Sequence, residues 1–489
     1  MTRLLPGAAA FVAAILVALL GLYANAESPP PAESSDAGNL VKVRLLGVND
    51  LHGHLEAPRP GLGGAAWLKA HLDRATVRGR TIRVHAGDMI GASPLISSWF
   101  HDEPAMEAGN ELGFDVGTLG NHEFDEGGEE LIRMLRGGRR TGPGALKRDA
   151  AGRLVNTSSP GYAGAAYPYI AANTIDRQGE LRLPPFAVIE RAGVRVGFIG
   201  VTTPSTPKFL LERHAVRFRF TDISDAVNRW VPVLRDTGVR AIVVLAHAGG
   251  PSQDESNAPD FEGEIVDEAR QMSPEVDAVI AGHSHSRLDI RVPNPDGSGD
   301  KLIVEALSYG IAYDLVDLTI DTRTGDVVAK TGRVPPTPHD LAGDARVARL
   351  VESYRTRLAP LATEVLARTS HGFTRAGGEL GRLAADAERD FAQADAAVVD
   401  PGALRADIDP GPVTYAEVAE ALAYDHPVVR TLLTGGELRE LRDGRFYSGP
   451  SDIDPKRTYR VAASEMLLRA HAIGTEVEAL TSYLSRLAG

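Results

Sequence analysis

VKVRLLGVNDLHGHL, residues 41–55, sets a pattern that the chain repeats. An apolar strand-like run, VKVRLLGV, breaks into small, polar and ligand-type residues at Asn49-Asp50-Leu51-His52-Gly53-His54. TIRVHAG, VRVGFIGV, AIVVLAH and VDAVIAGH repeat the theme, each a strand pattern ending in small or polar residues. Between them lie helical patterns. From Leu40 to about 335 this rhythm predicts a layered α/β domain. Ligand-type residues gather where the strands end: Ala86-Gly87-Asp88, Gly120-Asn121-His122-Glu123-Phe124-Asp125, Ala246-His247 and Gly282-His283-Ser284-His285 join the first cluster. In open α/β sheets the carboxyl ends of the strands are where ligands bind, so these loops are expected to converge.

The residue types point to two metals. D-x-H aims a carboxylate and an imidazole the same way from one short loop, because strand-like side chains repeat at two, and H-x-H does the same. A single Asp can bridge two cations with its two oxygens, and an Asn oxygen and a further His complete the second ion. Two cations about 3.5–4 Å apart can clamp an in-line displacement at phosphorus and acidify water near neutral pH. Each motif alone is weak; together, in this order and each after a strand, they exclude coincidence. His71, His85, His101, His214, His339, His371 and His471 lie outside the motifs and read as surface or packing residues; His54 reads as a loop-positioning residue.

Composition agrees. The 489 residues are too many for one ordinary domain, and 43% apolar with 24% charged residues excludes global disorder and a polytopic membrane fold. A net charge of −13 argues against nucleic acid as the main ligand, since duplex binding needs a basic stripe. The absence of cysteine removes disulfides, thiolate nucleophiles, Cys-type zinc sites, iron–sulfur clusters and lipoprotein anchoring. Any metal must therefore sit on imidazole, carboxylate or amide ligands, a set that suits zinc, manganese, iron or cobalt. Residues 1–26 read as a signal peptide: Arg3, an uncharged apolar run over 7–23, and Ala24-Asn25-Ala26 before a mature start at Glu27. An uncleaved anchor helix is the alternative. The expected location is periplasmic, cell-surface or secreted, without stable membrane insertion if the signal is cleaved.

Residues 27–40 read as a disordered leader, and 41–335 as the first domain. Residues 335–344 mark a boundary. A linker helix is expected over 336–360, with Val347, Leu350, Val351, Tyr354 and Leu358 in helical register and Pro360 beyond it. Residues 361–489 form a smaller second domain opening on a helix lined by Leu380, Leu383, Ala387 and Phe391. The Gly-, Ser- and Arg-rich stretch 137–164 interrupts the first domain. Seven basic residues against one acid between Arg133 and Arg153 read as a solvated loop, with docking to an acidic partner as the alternative.

The series N-D-L-H-G-H, A-G-D, G-N-H-E-F-D, A-H and G-H-S-H resembles the calcineurin-like metallophosphoesterases. GLGGAAWLKAHLDR, HAGDMIGASPLISSWF, GFDVGTLGNHEFDEG, GFIGVTTPSTP and AGHSH look like their 5′-nucleotidase branch, whose exported bacterial members include UDP-sugar hydrolases. The resemblance implies a four-layer α/β/β/α sandwich plus a smaller α+β C-terminal nucleotidase-like domain. It implies that Asp50, His52 and His285 hold one metal, that Asn121, His247 and His283 hold the other, and that Asp88 bridges them. Where the family often has Gln, this chain has His285. His122 would stabilise charge on phosphoryl or leaving oxygens, with Asp125 hydrogen-bonded to its ring.

In the second domain the resemblance is weaker. It implies substrate contacts from Arg405 in GALR, from Tyr424 as one of two base-stacking rings, and from His426 where Asn usually meets the base. Arg375 lies near another expected arginine. The second ring is missing, Met466 or Leu467 falling in its place. The expected function is hydrolysis of nucleoside 5′-monophosphates or a related small phosphate ester. A phosphodiesterase or pyrophosphatase acting on cyclic nucleotides or nucleotide sugars is the alternative, and a binding protein with a vestigial site is the third reading.

Overall fold

Side chains alternate across the central strands, and this alternation builds the layers. In the strand Leu40–Val48, Val43 and Leu45 enter a buried cluster with Val84, Phe198, Val243 and Val304. Leu46 and Val48 point the other way, among Leu68, Leu72, Met106 and Leu112 of the neighbouring helices. In the strand Ala241–His247, Val243 and Leu245 share the central cluster, while Ile242 and Val244 pack with Val227, Val231 and Ile265. Two sheets therefore stack face to face with helices outside both, the expected α/β/β/α sandwich. The computed structural model describes residues 39–148, 153–180, 182–250 and 262–488. The expected signal and most of the leader lie outside them. Among the described residues no helix is long and apolar enough to cross a membrane.

The first sheet runs Val327–Arg333, Asp314–Asp321, Leu40–Val48, Thr81–His85, Val116–Thr118, Tyr169–Ile170. The second runs Arg287–Pro293, Asp300–Ala306, Ala278–Ala281, Ala241–His247, Val194–Thr202, Phe186–Arg191. In the first sheet the strands ending at Val48, His85 and Thr118 are parallel. In the second, those ending at Thr202, His247, Ala281 and Ala306 are parallel. The motif-bearing loops thus leave like ends of their sheets.

The helix Ala345–Ala362 follows, its N-terminus capped by Asp344, whose carboxylate accepts from Arg346 N at 2.9 Å and Val347 N at 3.0 Å. It runs through Pro360 rather than ending before it; in the last turn the proline forfeits only one backbone bond. A five-stranded sheet in the order Phe446–Ser448, Ala396–Val399, Thr458–Ser464, Pro427–Thr434, Ala472–Thr475 comes after, with the helices Glu379–Phe391 and Glu476–Ala488 packed on each other. One apolar cluster joins Leu95, Ile96, Trp99 and Phe100 to Val347, Tyr354 and Leu358 and to Leu380, Val418 and Leu480. This shared core holds the C-terminal part against the first sheet's helices. The basic stretch is less free than its composition implies. Arg133 pairs with Glu103 and Glu130 at 2.8 and 2.7 Å, Arg140 with Glu126 at 2.7 Å, and Arg148 with Glu478 at 3.8 Å.

Candidate metal centre

Five of the seven expected ligands hold their side chains on left-handed backbone: Asp50 (φ 49°), His52 (47°), Asp88 (48°), His283 (79°) and His285 (56°). Such conformations cost a non-glycine residue about 1–3 kcal/mol each and persist where surrounding bonds over-determine them. Here they do. Asp50 N and His52 N donate to Gly87 O and Asp88 O at 3.1 and 2.9 Å, which staples the first loop to the second. Gly87 permits the approach of the third: a Cβ there would lie 2.6 Å from Gly120 N and 2.8 Å from His247 Nδ1.

The ligand atoms converge. Asp50, His52 and His285 each bring one within 4.8 Å of the others, and so do Asp88, His247 and His283. His52 Nδ1 donates to Gly91 O at 2.8 Å and His247 Nδ1 donates to Ala86 O at 2.8 Å. Each Nε2 therefore faces the cluster and, in the neutral ring, turns a lone pair toward it, the tautomer that metal-bound imidazoles take. His247 Nε2 lies 3.0 Å from Asp88 Oδ2 and 3.1 Å from Asn121 Oδ1. His52 Nε2 lies 3.2 Å from His285 Nε2 and 3.7 Å from both Asp50 Oδ1 and Asp88 Oδ2. Asp88 Oδ2 thus faces an imidazole from each group, as a bridging oxygen would. Asp50 Oδ2 is used by Asn49 Nδ2 and His283 N, whereas Asp50 Oδ1 is fully buried without a hydrogen-bond partner. Imidazole, carboxylate and amide groups that converge around a buried, unsatisfied carboxylate oxygen are a donor set that fits divalent cations. Burial opposes charge on Asp50 and Asp88, but the surrounding imidazoles outweigh it and hold both carboxyls below the usual carboxylate range.

One nitrogen of His122 also lies within 4.8 Å of His52 and Asp88. Its other nitrogen, Nδ1, meets a carboxylate rather than a carbonyl, Asp125 Oδ2 at 2.7 Å. Its side chain is 12% exposed against 3% and 0% for His52 and His247, so it faces the open side. Burial pushes the His122 imidazole down, yet Asp125 and Asp88 outweigh it and hold it up at about 9. His54 stands apart, its ring stacked on Tyr309 at 3.9 Å.

The C-terminal part reaches the same cluster. Arg405 Nη2 donates to Tyr309 Oη at 3.2 Å, and its guanidinium lies 5.2 Å from the centre of the Tyr424 ring. Among the described residues Arg405 has no ion-pair partner. Tyr424 stacks against His122 with centroids 5.8 Å apart and against His426 at 5.0 Å. Its ring is therefore already in contact with two imidazoles. His426 Nδ1 is buried without a hydrogen-bond partner, and burial pushes the ring down to about 4, so it is neutral. Arg375 Nε donates to Asp407 Oδ1 at 3.0 Å, and half its side chain is exposed. Leu467, half-buried, packs against the cluster that holds Val461 and Tyr459.

Four supporting residues had no role assigned from the sequence: Asn49 and Glu123 stand inside the motifs, Glu305 and Tyr309 outside them. Asn49 bonds Asp50 Oδ2 at 2.7 Å, Leu307 O at 2.6 Å and Ala306 N at 2.9 Å. Glu123 accepts from the backbone N–H groups of Asp88, Met89 and Gly120. Glu305, fully buried, accepts from Ser284 Oγ at 2.8 Å and Ser286 N at 3.0 Å, gripping the loop between and beyond His283 and His285. Tyr309 N donates to Asp50 O at 2.7 Å. An acid inside the apolar strand KLIVEA was the one available signal for Glu305; Tyr309 had none.

Comparison with known proteins agrees with this geometry. Residues 43–287 match the calcineurin-like phosphoesterase family and residues 361–445 the 5′-nucleotidase C-terminal domain. Over 423 residues, 82% of its length, the chain is 33% identical to Endonuclease YhcR of Bacillus subtilis (strain 168), of which it spans only 32%. It is 22% identical to the 5′-nucleotidase of Vibrio vulnificus (strain CMCP6), covering 87% of this chain and 79% of that one. Its fold is similar to the crystal structure of a 5′-nucleotidase precursor from Thermus thermophilus, with a TM-score of 0.72, 23% identity and coverage of 91% and 97%. The chain belongs to the calcineurin-like phosphoesterases and has the two-part build of their 5′-nucleotidase branch.

Proposed function

We propose that the chain hydrolyses nucleoside 5′-monophosphates to nucleoside and phosphate, and that it does so outside the cytoplasm, behind the signal-like residues 1–26. Asp50, His52 and His285 would hold one divalent cation, Asn121, His247 and His283 a second, with Asp88 between them. Cations bound there supply Lewis acidity at the phosphoryl oxygens and make water a competent nucleophile near neutral pH. The protein's own groups do the rest. Asp125 fixes the His122 ring through Nδ1, so that Nε2 can present a proton where the leaving oxygen develops charge. Arg405, without an acidic partner among the described residues, offers a forked donor to a phosphate oxygen. Tyr424 and His426 form an aromatic wall beside it for the base.

The observation that carries this reading is the approach of Arg405, which has no ion-pair partner among the described residues, and of an aromatic wall to a cluster of converging metal-ligand side chains. Chromatographic quantitation of the hydrolysis products from a panel with added Mn²⁺ tests it: adenosine 5′-monophosphate, 2′,3′-cyclic adenosine monophosphate and UDP-glucose. The 5′-monophosphate should give the highest kcat/KM. A cyclic nucleotide or nucleotide sugar in first place would replace this reading with that of a diesterase or pyrophosphatase. Absence of turnover on all three would leave a binding protein.

A further inference from the structure

Behind the turn that carries His122 lies a cavity of about 390 Å³, a size typical of small-ligand pockets. Leu119, Phe124, Leu131, Leu183 and Phe218 give it apolar walls. Phe124 is fully buried and meets Phe218 edge-on, ring centroids 5.1 Å apart. It is also the last residue of the short helical turn His122–Phe124. One end of that turn reaches the His/Asp cluster and the other walls the cavity. Backbone bonds hold the turn: Phe124 N donates to Asn121 O at 3.2 Å, Asp125 N to His122 O at 3.2 Å and Gly127 N to Phe124 O at 2.9 Å.

Polar groups interrupt the apolar lining at two places. Thr174 lines the cavity, is 2% exposed, and its Oγ1 has no hydrogen-bond partner among the described residues. Buried hydroxyls are normally partnered, because desolvation without a bond is costly. Arg182 and Arg217 stand on the solvent side, their side chains 57% and 59% exposed. Arg217 lies 3.6 Å from Glu129, itself 96% exposed, and pairs so exposed hold weakly. Arg182 lies 2.9 Å from Asp176, whose Oδ1 already accepts from Gln178 N at 2.9 Å and Glu180 N at 3.0 Å. Both guanidinium groups can therefore turn donors to an anion at the mouth. Thr174 and Asp176 are two apart on the strand Thr174–Asp176, so their side chains leave one face about 6.5–7 Å apart. A buried hydroxyl and a basic rim at that spacing, with phenylalanine rings in the wall, suit a para-substituted ring.

We propose that this cavity is a second ligand site, which takes a small hydroxyaryl carboxylate and transmits its binding to the His122 turn through Phe124. The ring would lie against Phe124 and Phe218, its hydroxyl on Thr174 Oγ1 and its carboxylate on Arg182 and Arg217. The site is separate from the His/Asp cluster and does not rest on the hydrolase reading.

Calorimetric titration of the full chain with 3-(4-hydroxyphenyl)propionate, with and without Mn²⁺, tests it. The affinity should be the same in both. Thr174→Val should weaken binding about threefold to tenfold, the range for losing one hydrogen bond. The probe that lacks the hydroxyl, 3-phenylpropionate, should lose as much on wild type and no more on Thr174→Val. Arg182→Gln with Arg217→Gln should weaken binding at least tenfold. Ile132→Trp, which fills the cavity from the helix Gly128–Arg136, should abolish it in a chain that circular dichroism shows to be folded. Amide hydrogen exchange at Phe124, Asp125 and Gly127 should slow when the hydroxyaryl acid binds wild type. Absence of binding to wild type, equal affinity in Thr174→Val, or a requirement for Mn²⁺, which would put the acid on the His/Asp cluster, would overturn the site. Binding with unchanged exchange in the turn would overturn the transmission through Phe124.

Discussion

Replacing Glu123 by Gln exchanges one carboxylate oxygen for an NH₂ group at the junction beneath the cluster. Glu123 is 3% exposed. Its Oε2 accepts from Asp88 N at 3.0 Å and Gly120 N at 2.5 Å, and its Oε1 from Met89 N at 2.9 Å. Burial and the Asp88 carboxylate push this acid up to about 7, and the backbone donors of Gly120 and Met89 pull against that rise. Glutamine has one acceptor oxygen. In its better orientation it serves Asp88 N and Gly120 N, while Met89 N faces an NH₂. Two buried donors then lack acceptors. At about 1–3 kcal/mol each, the expected loss is about 2–6 kcal/mol, a large part of a typical domain's about 5–15 kcal/mol. The loop that carries Asp88 should loosen too, so metal affinity should fall with stability. Urea unfolding of the metal-free protein gives the first quantity and Mn²⁺ titration the second. A variant within about 1 kcal/mol of wild type and with unchanged Mn²⁺ affinity would refute the view that Glu123 positions the Asp88 loop.

His122→Asn should lower kcat about 10²–10⁴-fold with metal content intact; loss of metal on elemental analysis would make His122 a ligand. Glu305→Ala removes the acceptor for Ser284 Oγ and Ser286 N, and equilibrium dialysis should show metal affinity about 10–100-fold weaker, whereas unchanged affinity would show that the two imidazoles hold their loop unaided. In the C-terminal part, burial and the Glu476 charge push Glu388 well above the usual carboxylate range, and burial with Asp425 pushes Glu476 up to about 8. Both folded values exceed the unfolded ones, so this contribution to stability is intact below about pH 4 and is lost as pH rises toward 8. The thermal midpoint should accordingly fall between pH 5 and 8 less steeply in Glu388→Gln than in wild type; parallel curves would contradict the assignment.

The convergence of the His/Asp cluster was legible because its residues stand where apolar strands stop, and a strand's end is fixed by local pattern. The layers were legible for a related reason: Val43 and Leu45 against Leu46 and Val48 is a period of two that assigns each residue a face. What the sequence withheld is long-range. Asn49 meets Leu307, Glu305 meets Ser284, and Tyr309 meets Asp50, contacts that no local period encodes. The left-handed backbone of five ligands was equally hidden, since none of them is glycine. The pairing of Arg375 with Asp407 is of the same long-range kind. Tyr424 sits beside the cluster as the resemblance implied, but its contacts with His122 and His426 depend on how the two parts pack around the shared core.

The central claim is that Asp88 bridges two cations, and metal stoichiometry tests it most directly. Metal-free wild-type protein and Asp88→Asn, each reloaded with Mn²⁺ and freed of excess, can be compared by elemental analysis alongside phosphate-ester turnover. Wild type should retain two ions per chain, and the variant should lose at least one together with several orders of magnitude in kcat. Two retained ions and near-normal turnover in Asp88→Asn, or a fully active wild type holding a single ion, would contradict the dinuclear site.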